Sequence, residues 1–316
     1  VLLAWVQLRL GVILMAAPQP LGSLAERLSM PVDSAARLLE SAVALRLAER
    51  RRDGCYRLGM LGAALEGNPG VAAMVEHHAL LYADLKDPVA LLRKEHTGTA
   101  IGALWPYAAP GRADTPNGDE VAAYSELMAA SQPLVAADIL AAYPLHRHRC
   151  LMDMGGGDGR FLAAAAAAAP SLRLMLFDLP AVAERARRRF AETGLAGRAT
   201  AFGGDFRNDD LPHGADVISL VRVIHDHDDD AAMVILRAAR RALPEGGTLL
   251  LAEPMAGTAG AETVGAYFAF YLLAMGSGRP RRAEELSEMM RQAGFSRVRP
   301  VTTRRPMLVR VLVGRC

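Results

Sequence analysis

The run Asp153-Met154-Gly155-Gly156-Gly157-Asp158-Gly159-Arg160-Phe161 decides how the second half of this chain is built. An apolar stretch, Leu151 to Met154, leads into it, and an alanine-rich stretch, Arg160 to Ala169, leads out, so the glycines join a strand to a helix. Glycine at such a junction lets the backbone turn sharply and lets a ligand approach the main chain at a helix N-terminus. A dinucleotide fingerprint needs G-x-G-x-x-G, but the third place counted from Gly155 and Gly157 is Arg160, so the spacing speaks against a nicotinamide dehydrogenase. What stands there is G-x-G-x-G with an acid, Asp153, two residues ahead. A carboxylate in that place can meet the ammonium group of an amino-acid-bearing cofactor.

Working outward, apolar runs at Leu172 to Phe177, Ala199 to Phe202, Val217 to Val221 and Thr248 to Ala252 are short enough for buried parallel strands. Helical stretches at Ala181 to Thr193 and Asp229 to Leu243 lie between them; Gly194 closes the first and Pro244-Glu245-Gly246-Gly247 stops the second. The expected fold class is α/β, with a Rossmann-like doubly wound domain over residues 149–316 and ligands beyond the carboxyl ends of its strands.

Acids stand at three successive strand ends. Asp178, followed by Leu179 and lying 21 residues past Gly157, is placed to accept both hydroxyls of a ribose. Asp205 is placed for the exocyclic amine of adenine, with Phe206 offering a ring face. Singly, each acid is as readily a helix cap or a solvated loop residue. Together with Asp153 they point to one nucleoside-bearing ligand.

The fourth strand runs into Arg222-Val223-Ile224-His225-Asp226-His227-Asp228-Asp229-Asp230. Three readings compete: a divalent metal on His225, His227 and the carboxylates; a structural turn whose aspartates make an acidic helix N-terminus; and a general base at His225. No metal is expected, because the aspartates are accounted for by the helix start. As a base, His225 would sit at a strand end beside the cofactor, and Glu253, ending the fifth strand, could fix its tautomer. Further on, Tyr267, Phe268, Phe270, Tyr271 and Met275 crowd one helix; they cover more than one face, which suggests an apolar pocket. Arginines at 185–189, 279–282 and 304–305 read most simply as solvated faces, with membrane-surface contact as the other option.

The first half reads differently. From Leu21 to Leu61 the pattern is two short helices, the first capped by Ser23 and the second opened by Pro31, then a short strand pair around Cys55 to Leu58: helix-turn-helix plus wing. A DNA-binding regulator is the function of a different class that this segment raises. Its seven arginines face five acids, however, and the whole chain carries a net charge of only +2, too little for strong phosphate contact, so no nucleic-acid partner is expected. Pro, Gly, Asp and Asn concentrate between Pro110 and Asp119, which divides the chain into a helical winged-helix-like domain at 1–109, a linker and connecting helix at 110–148, and the catalytic domain. Three widely spaced cysteines, Cys55, Cys150 and Cys316, form no metal or redox pair and suit a reducing cytoplasm. Arg9 interrupts the opening apolar run, arguing against a membrane span. That run also lacks the features of a signal peptide, and a chain starting at Val1 is expected to lack its native start.

At these positions the sequence resembles the small-molecule S-adenosylmethionine-dependent O-methyltransferases of the caffeate and acetylserotonin type. Asp-x-Gly-Gly-Gly-x-Gly, Phe177-Asp178-Leu179-Pro180, Gly204-Asp205-Phe206, His225-Asp226 and Ala252-Glu253-Pro254 occur in that family's order across nearly the whole chain. The resemblance implies S-adenosylmethionine as cofactor, S-adenosylhomocysteine as its product, and a homodimer built on the winged-helix domain. It also implies Asp178, Asp205, Phe206 and Arg222 at the cofactor, His225 as base, Glu253 orienting it, Met128 and Ser131 near cofactor and substrate, and Met275 at the acceptor, where the aromatic helix would also place Tyr271. Two positions depart from the pattern: His227 replaces the usual tryptophan, and a second glutamate beside the base is replaced near Pro280. The stretches 220–230, 252–257 and 270–276 look most like the carotenoid 1-hydroxyl (demethylspheroidene-type) O-methyltransferases of purple phototrophic bacteria. That implies a lipophilic acceptor with a tertiary hydroxyl and a cytoplasmic enzyme that touches the inner or photosynthetic membrane peripherally. A phenolic polyketide or a tetrapyrrole is the alternative acceptor.

Overall fold

Strict alternation of side chains between two buried faces organises the larger part of the molecule. The computed structural model describes residues 1–95, 98–104 and 132–316, so Met128 and Ser131 lie outside the described residues. Two compact units divide at Ala83 and Asp84, upstream of the 109/110 boundary expected from composition.

In the first unit, helices Leu2–Gln7 and Leu10–Ala16 are separated at Arg9, whose φ of +53° turns the chain. Helices Leu21–Arg27 and Val32–Ala44 follow, then a hairpin of β1 (Ala48–Arg50) and β2 (Tyr56–Leu58) and the helix Met60–Glu66. The expected order of two helices and a strand pair is present. Ser23, however, lies inside its helix: Pro20 occupies the N-cap and its carbonyl accepts the Leu24 N–H, so no serine cap forms. Trp5, Leu10, Leu24, Leu39, Leu47 and Tyr56 make this unit's core.

The second unit carries β3 (Cys150–Met154), β4 (Arg173–Asp178), β5 (Ala199–Gly203), β6 (Val217–Val221), β7 (Thr248–Glu253), β8 (Ser296–Val301) and β9 (Arg310–Arg315). They form a sheet in the order β5-β4-β3-β6-β7-β9-β8, with the first five strands parallel and β9 antiparallel to both β7 and β8. Met152, Met154, Ile218, Leu220, Leu249 and Leu251 face one way, packing with Ile235 and Leu236 of helix Asp229–Ala242 and Leu286 and Met290 of helix Ala283–Gln292. Their neighbours Leu151, Val217, Val221 and Leu250 face the other way, against Phe161 and Leu162 of helix Arg160–Ala168, Ala183 and Phe190 of helix Pro180–Glu192, and Val135 and Ile139 of the helix at 132–142. A parallel sheet buried on both faces follows from runs apolar at every position. The chain reverses its winding between β3 and β6, and at such a switch point the strand ends leave a crevice open to a ligand.

In two of the arginine stretches one member does more than solvate a face. Arg305 sets its Nε and Nη2 on the carboxylate of Asp138, which is 1% exposed, and also reaches Leu134 O, so it ties the helix at 132–142 to the loop between β8 and β9. Arg281 is buried beside the exit of β6. A fork of donors that satisfies a buried carboxylate cannot be seen from neighbours in sequence. Arg305→Met leaves Asp138 buried without its partner and is expected to cost about 2–3 kcal/mol of unfolding free energy, read by urea denaturation. Unchanged stability would show that the pair is idle.

Candidate active site

Main-chain geometry builds the site first. Gly155, Gly157 and Gly159 all have positive φ, at +72°, +59° and +82°, a region where a side chain is strained. The Gly155 N–H donates to Phe177 O at 2.8 Å, and a Cβ on Gly155 would fall 2.8 Å from Val223 and 3.7 Å from the Phe206 ring. The loop is therefore closed against the exits of β4, β5 and β6. Gly157 has open space where a Cβ would stand.

Asp178 lies across from that loop. Its carboxylate accepts the Gly157 N–H at 2.8 Å and the Leu179 N–H at 2.7 Å. Burial pushes its pKa up to about 6 in spite of those two donors. Asp153 lies beneath the loop, 1% exposed, and accepts from Ser219 Oγ at 2.6 Å. Burial pushes it up to about 7, against the Ser219 bond and with the help of the Asp178 charge. Ser219, in mid-strand, was not singled out in the sequence, where it reads as one polar interruption of an apolar run. Asp205 turns toward its own loop and takes four hydrogen bonds, three from Arg207 and one from Asn208 Nδ2. Burial would raise it, but the Arg207 contacts outweigh that and hold it below the usual carboxylate range. Phe206 meets the ring of His227 edge-on, with centroids 5.7 Å apart.

A left-handed residue follows β6. Arg222 has φ +59° and donates its N–H to Ala252 O at 2.8 Å, then the chain makes one tight turn over Ile224–Asp226. An arginine in that conformation costs of order 1–3 kcal/mol, and the surrounding contacts hold it there. Glu253, 1% exposed at the end of β7, holds the residues that follow Arg222. Its Oε1 accepts the N–H groups of Val223 at 3.0 Å and Ile224 at 2.7 Å, and its Oε2 meets His225 Nδ1. Nε2 of the same ring lies 3.0 Å from Asp226 Oδ1. Burial disfavours the imidazolium, but Asp226 and Glu253 outweigh it and push the pKa up to about 10. The second carboxylate on the ring is thus Asp226, the neighbour in sequence, rather than a residue near Pro280.

Helix Glu262–Met275 closes the other side of His225. The Phe268 ring lies 5.1 Å from the imidazole at 68°, and Tyr271 stacks on Phe268 at 6.1 Å. Burial raises the Tyr271 pKa, the Asp226 charge adds to this and the Arg222 charge opposes it, which puts the three side chains in one neighbourhood. Met275 is buried at the end of this helix, whereas Tyr267 and Phe270 are exposed. The structure therefore brings Asp153, Gly155, Gly157, Asp178, Leu179 and Phe206 around one loop, and His225, Glu253 and Tyr271 around one turn. Asp205 and Arg222 stand at the adjoining strand exits. Among the described residues no group of three or more His, Cys, Asp or Glu side chains is arranged to hold a metal ion.

Residues 82–296 match the family model of the O-methyltransferase domain. The chain belongs to this family. The methyltransferase is 46% identical over 308 residues to the demethylspheroidene O-methyltransferase of Cereibacter sphaeroides, covering 97% of this chain and 80% of that one. It is 43% identical over 313 residues to the enzyme of the same description from Rhodobacter capsulatus, covering 99% and 77%. Among solved structures it is similar to an O-methyltransferase of neocarzinostatin biosynthesis, NcsB1, in complex with S-adenosylmethionine and 2-hydroxy-5-methyl naphthoic acid. The TM-score is 0.72 with 27% identity, over 99% of this chain and 94% of that one.

The raised pKa of Asp178 makes a signed prediction. The folded carboxyl holds its proton up to about pH 6, the unfolded one only to the ordinary 3.8, so its contribution to stability is present at low pH and is lost as pH rises through that interval. Asp178→Asn abolishes this dependence. In urea unfolding without cofactor, the stability of the wild type relative to Asp178→Asn is expected to rise as pH falls from about 7 to about 4. A gap that stays flat, or shrinks, contradicts the assignment.

Proposed function

We propose that this methyltransferase moves a methyl group from S-adenosylmethionine to the tertiary 1-hydroxyl of an acyclic carotenoid, with His225 taking the hydroxyl proton. The observation that carries the role of His225 is the imidazole held at Nδ1 by a buried glutamate, one turn beyond the strand that borders the glycine loop. The two relatives described as demethylspheroidene O-methyltransferases, at 46% and 43% identity, support the carotenoid acceptor.

The residues present suit the cofactor. Open space above Gly157, a carboxylate at Asp178 with lone pairs left after two backbone donors, and the Phe206 ring beside Gly155 make a place for a nucleoside. When bound, S-adenosylmethionine supplies a methyl already activated by its sulfonium. The chain's own work is to hold the acceptor in line and to accept a proton, and alignment of this kind is worth up to roughly 7–11 kcal/mol. Glu253 keeps a proton on Nδ1, which leaves Nε2 as the accepting atom. Asp226 stands on Nε2, and its charge together with that of Glu253 holds the ring's pKa above the ordinary histidine range. An acceptor hydroxyl arriving at Nε2 takes the place of that carboxylate; with one of two charges withdrawn the ring's pKa falls, the Nε2 proton leaves on the departing Asp226 carboxylate, and the freed nitrogen can take the hydroxyl proton. Phe268 and Tyr271 supply the apolar wall beside it.

In this reading the unit containing β1 and β2 mediates a homodimer, and the enzyme works in the cytoplasm against a membrane that dissolves its substrate. No helix among the described residues is long and apolar enough to cross a membrane. Labelled-methyl transfer to a hydroxylated acyclic carotenoid is expected, with phenols as poor acceptors; transfer to phenols alone ends the carotenoid assignment. His225→Ala is expected to lower turnover by roughly 10²–10⁴-fold while calorimetric affinity for S-adenosylhomocysteine is kept. Full turnover in that variant removes His225 from its role.

A further inference from the structure

Four successive carbonyl oxygens, those of Ile224, His225, Asp226 and His227, are received by one short segment far along the chain. Ile224 O accepts from Arg281 Nη1 at 2.8 Å, and His227 O from Arg281 Nη2 at 2.7 Å. Between them, His225 O accepts the Arg279 N–H at 2.9 Å and Asp226 O accepts from Ser277 Oγ at 2.9 Å. Gly278 makes the approach possible: its φ is +75°, and a Cβ there would fall 2.0 Å from His225 O. The guanidinium of Arg281 is 1% exposed, and its Nε and Nη2 also donate to Asp229 Oδ1 at 2.9 and 2.7 Å. On the opposite flank Glu253 holds the amides of Val223 and Ile224. The turn that carries the imidazole is therefore gripped by its N–H groups on one side and by its carbonyls on the other.

We infer that Arg281 is a positioning residue for His225, its planar fork fixing both ends of the turn Ile224–Asp226 and so the direction of Nε2. Two bonds to Asp229 would be enough to tether the start of helix Asp229–Ala242. The bonds to Ile224 and His227 instead span the ring-bearing residues. Burying a guanidinium is a costly way to gain stability, since an apolar side chain of similar size often does as well. A fork that spans two carbonyls gives geometry that no apolar side chain supplies. Sequence alone hides this, because Arg279-Pro280-Arg281-Arg282 looks like a solvated turn.

The inference rests on His225 as the proton acceptor, and the test separates the two. Arg281→Lys keeps the charge but offers one ammonium, which cannot replace the fork. Its kcat is expected to fall roughly 10- to 100-fold, with the KM for S-adenosylmethionine within about twofold of wild type. The acid limb of its kcat/KM–pH profile, which reports the free enzyme, moves to lower pH, because a ring less firmly held between Glu253 and Asp226 loses part of its upward shift. Ser277→Ala, a smaller lesion, shows a smaller change in the same direction and decides the matter if Arg281→Lys does not fold. Wild-type kcat and an unmoved acid limb in these variants, alongside an inactive His225→Ala, overturn the positioning role alone. Wild-type turnover in His225→Ala overturns the reading beneath it.

Discussion

The carboxylate of Glu253 is the point on which the site depends. It ends β7, is almost wholly buried, and spends its two oxygens on three donors: the amides of Val223 and Ile224 and the Nδ1 of His225. A buried carboxylate is tolerable only when its lone pairs are met, and here meeting them holds the chain leaving β6 in one tight turn with the imidazole against Glu253. Parallel pairing of β6 with β7 sets Val221 opposite Ala252, which brings Glu253 level with the turn. The sheet register and the orientation of the His225 ring are one construction.

The glycine loop obeys the same logic on the other side of the switch point. Positive φ at Gly155, Gly157 and Gly159 lets the chain fold back onto Asp178, and Asp178 returns two hydrogen bonds that fix the loop and the start of the next helix. Asp153, beneath the loop and bonded to Ser219, supports it from below. Its position under the glycines makes it a support for the loop.

Much of this was legible in the sequence because strand ends are where apolar runs stop. Asp178, Asp205, His225 and Glu253 each stand one place beyond such a run or within a few residues of its end, so a count of runs places them at one edge of a sheet. The brace around His225 was not legible. Arg281 acts through carbonyls more than fifty residues away, and nothing in an arginine-proline-arginine stretch tells a buried fork from a solvated one. Arg305 on Asp138 was hidden for the same reason. The strands β8 and β9 were also missed: β8 alternates Arg297 and Arg299 with Val298 and carries Pro300, a pattern that suits only a sheet edge, and β8 is the edge. Asp226 was read within a motif, but its contact with Nε2 depends on the tightness of the turn.

The most direct test of the account is a crystal structure of the enzyme with S-adenosylhomocysteine and a short polyene bearing a tertiary hydroxyl. The account predicts the hydroxyl oxygen within hydrogen-bonding distance of His225 Nε2, Asp226 displaced from that nitrogen, and Glu253 still on Nδ1. A hydroxyl bound elsewhere, with Asp226 still on Nε2, would contradict it.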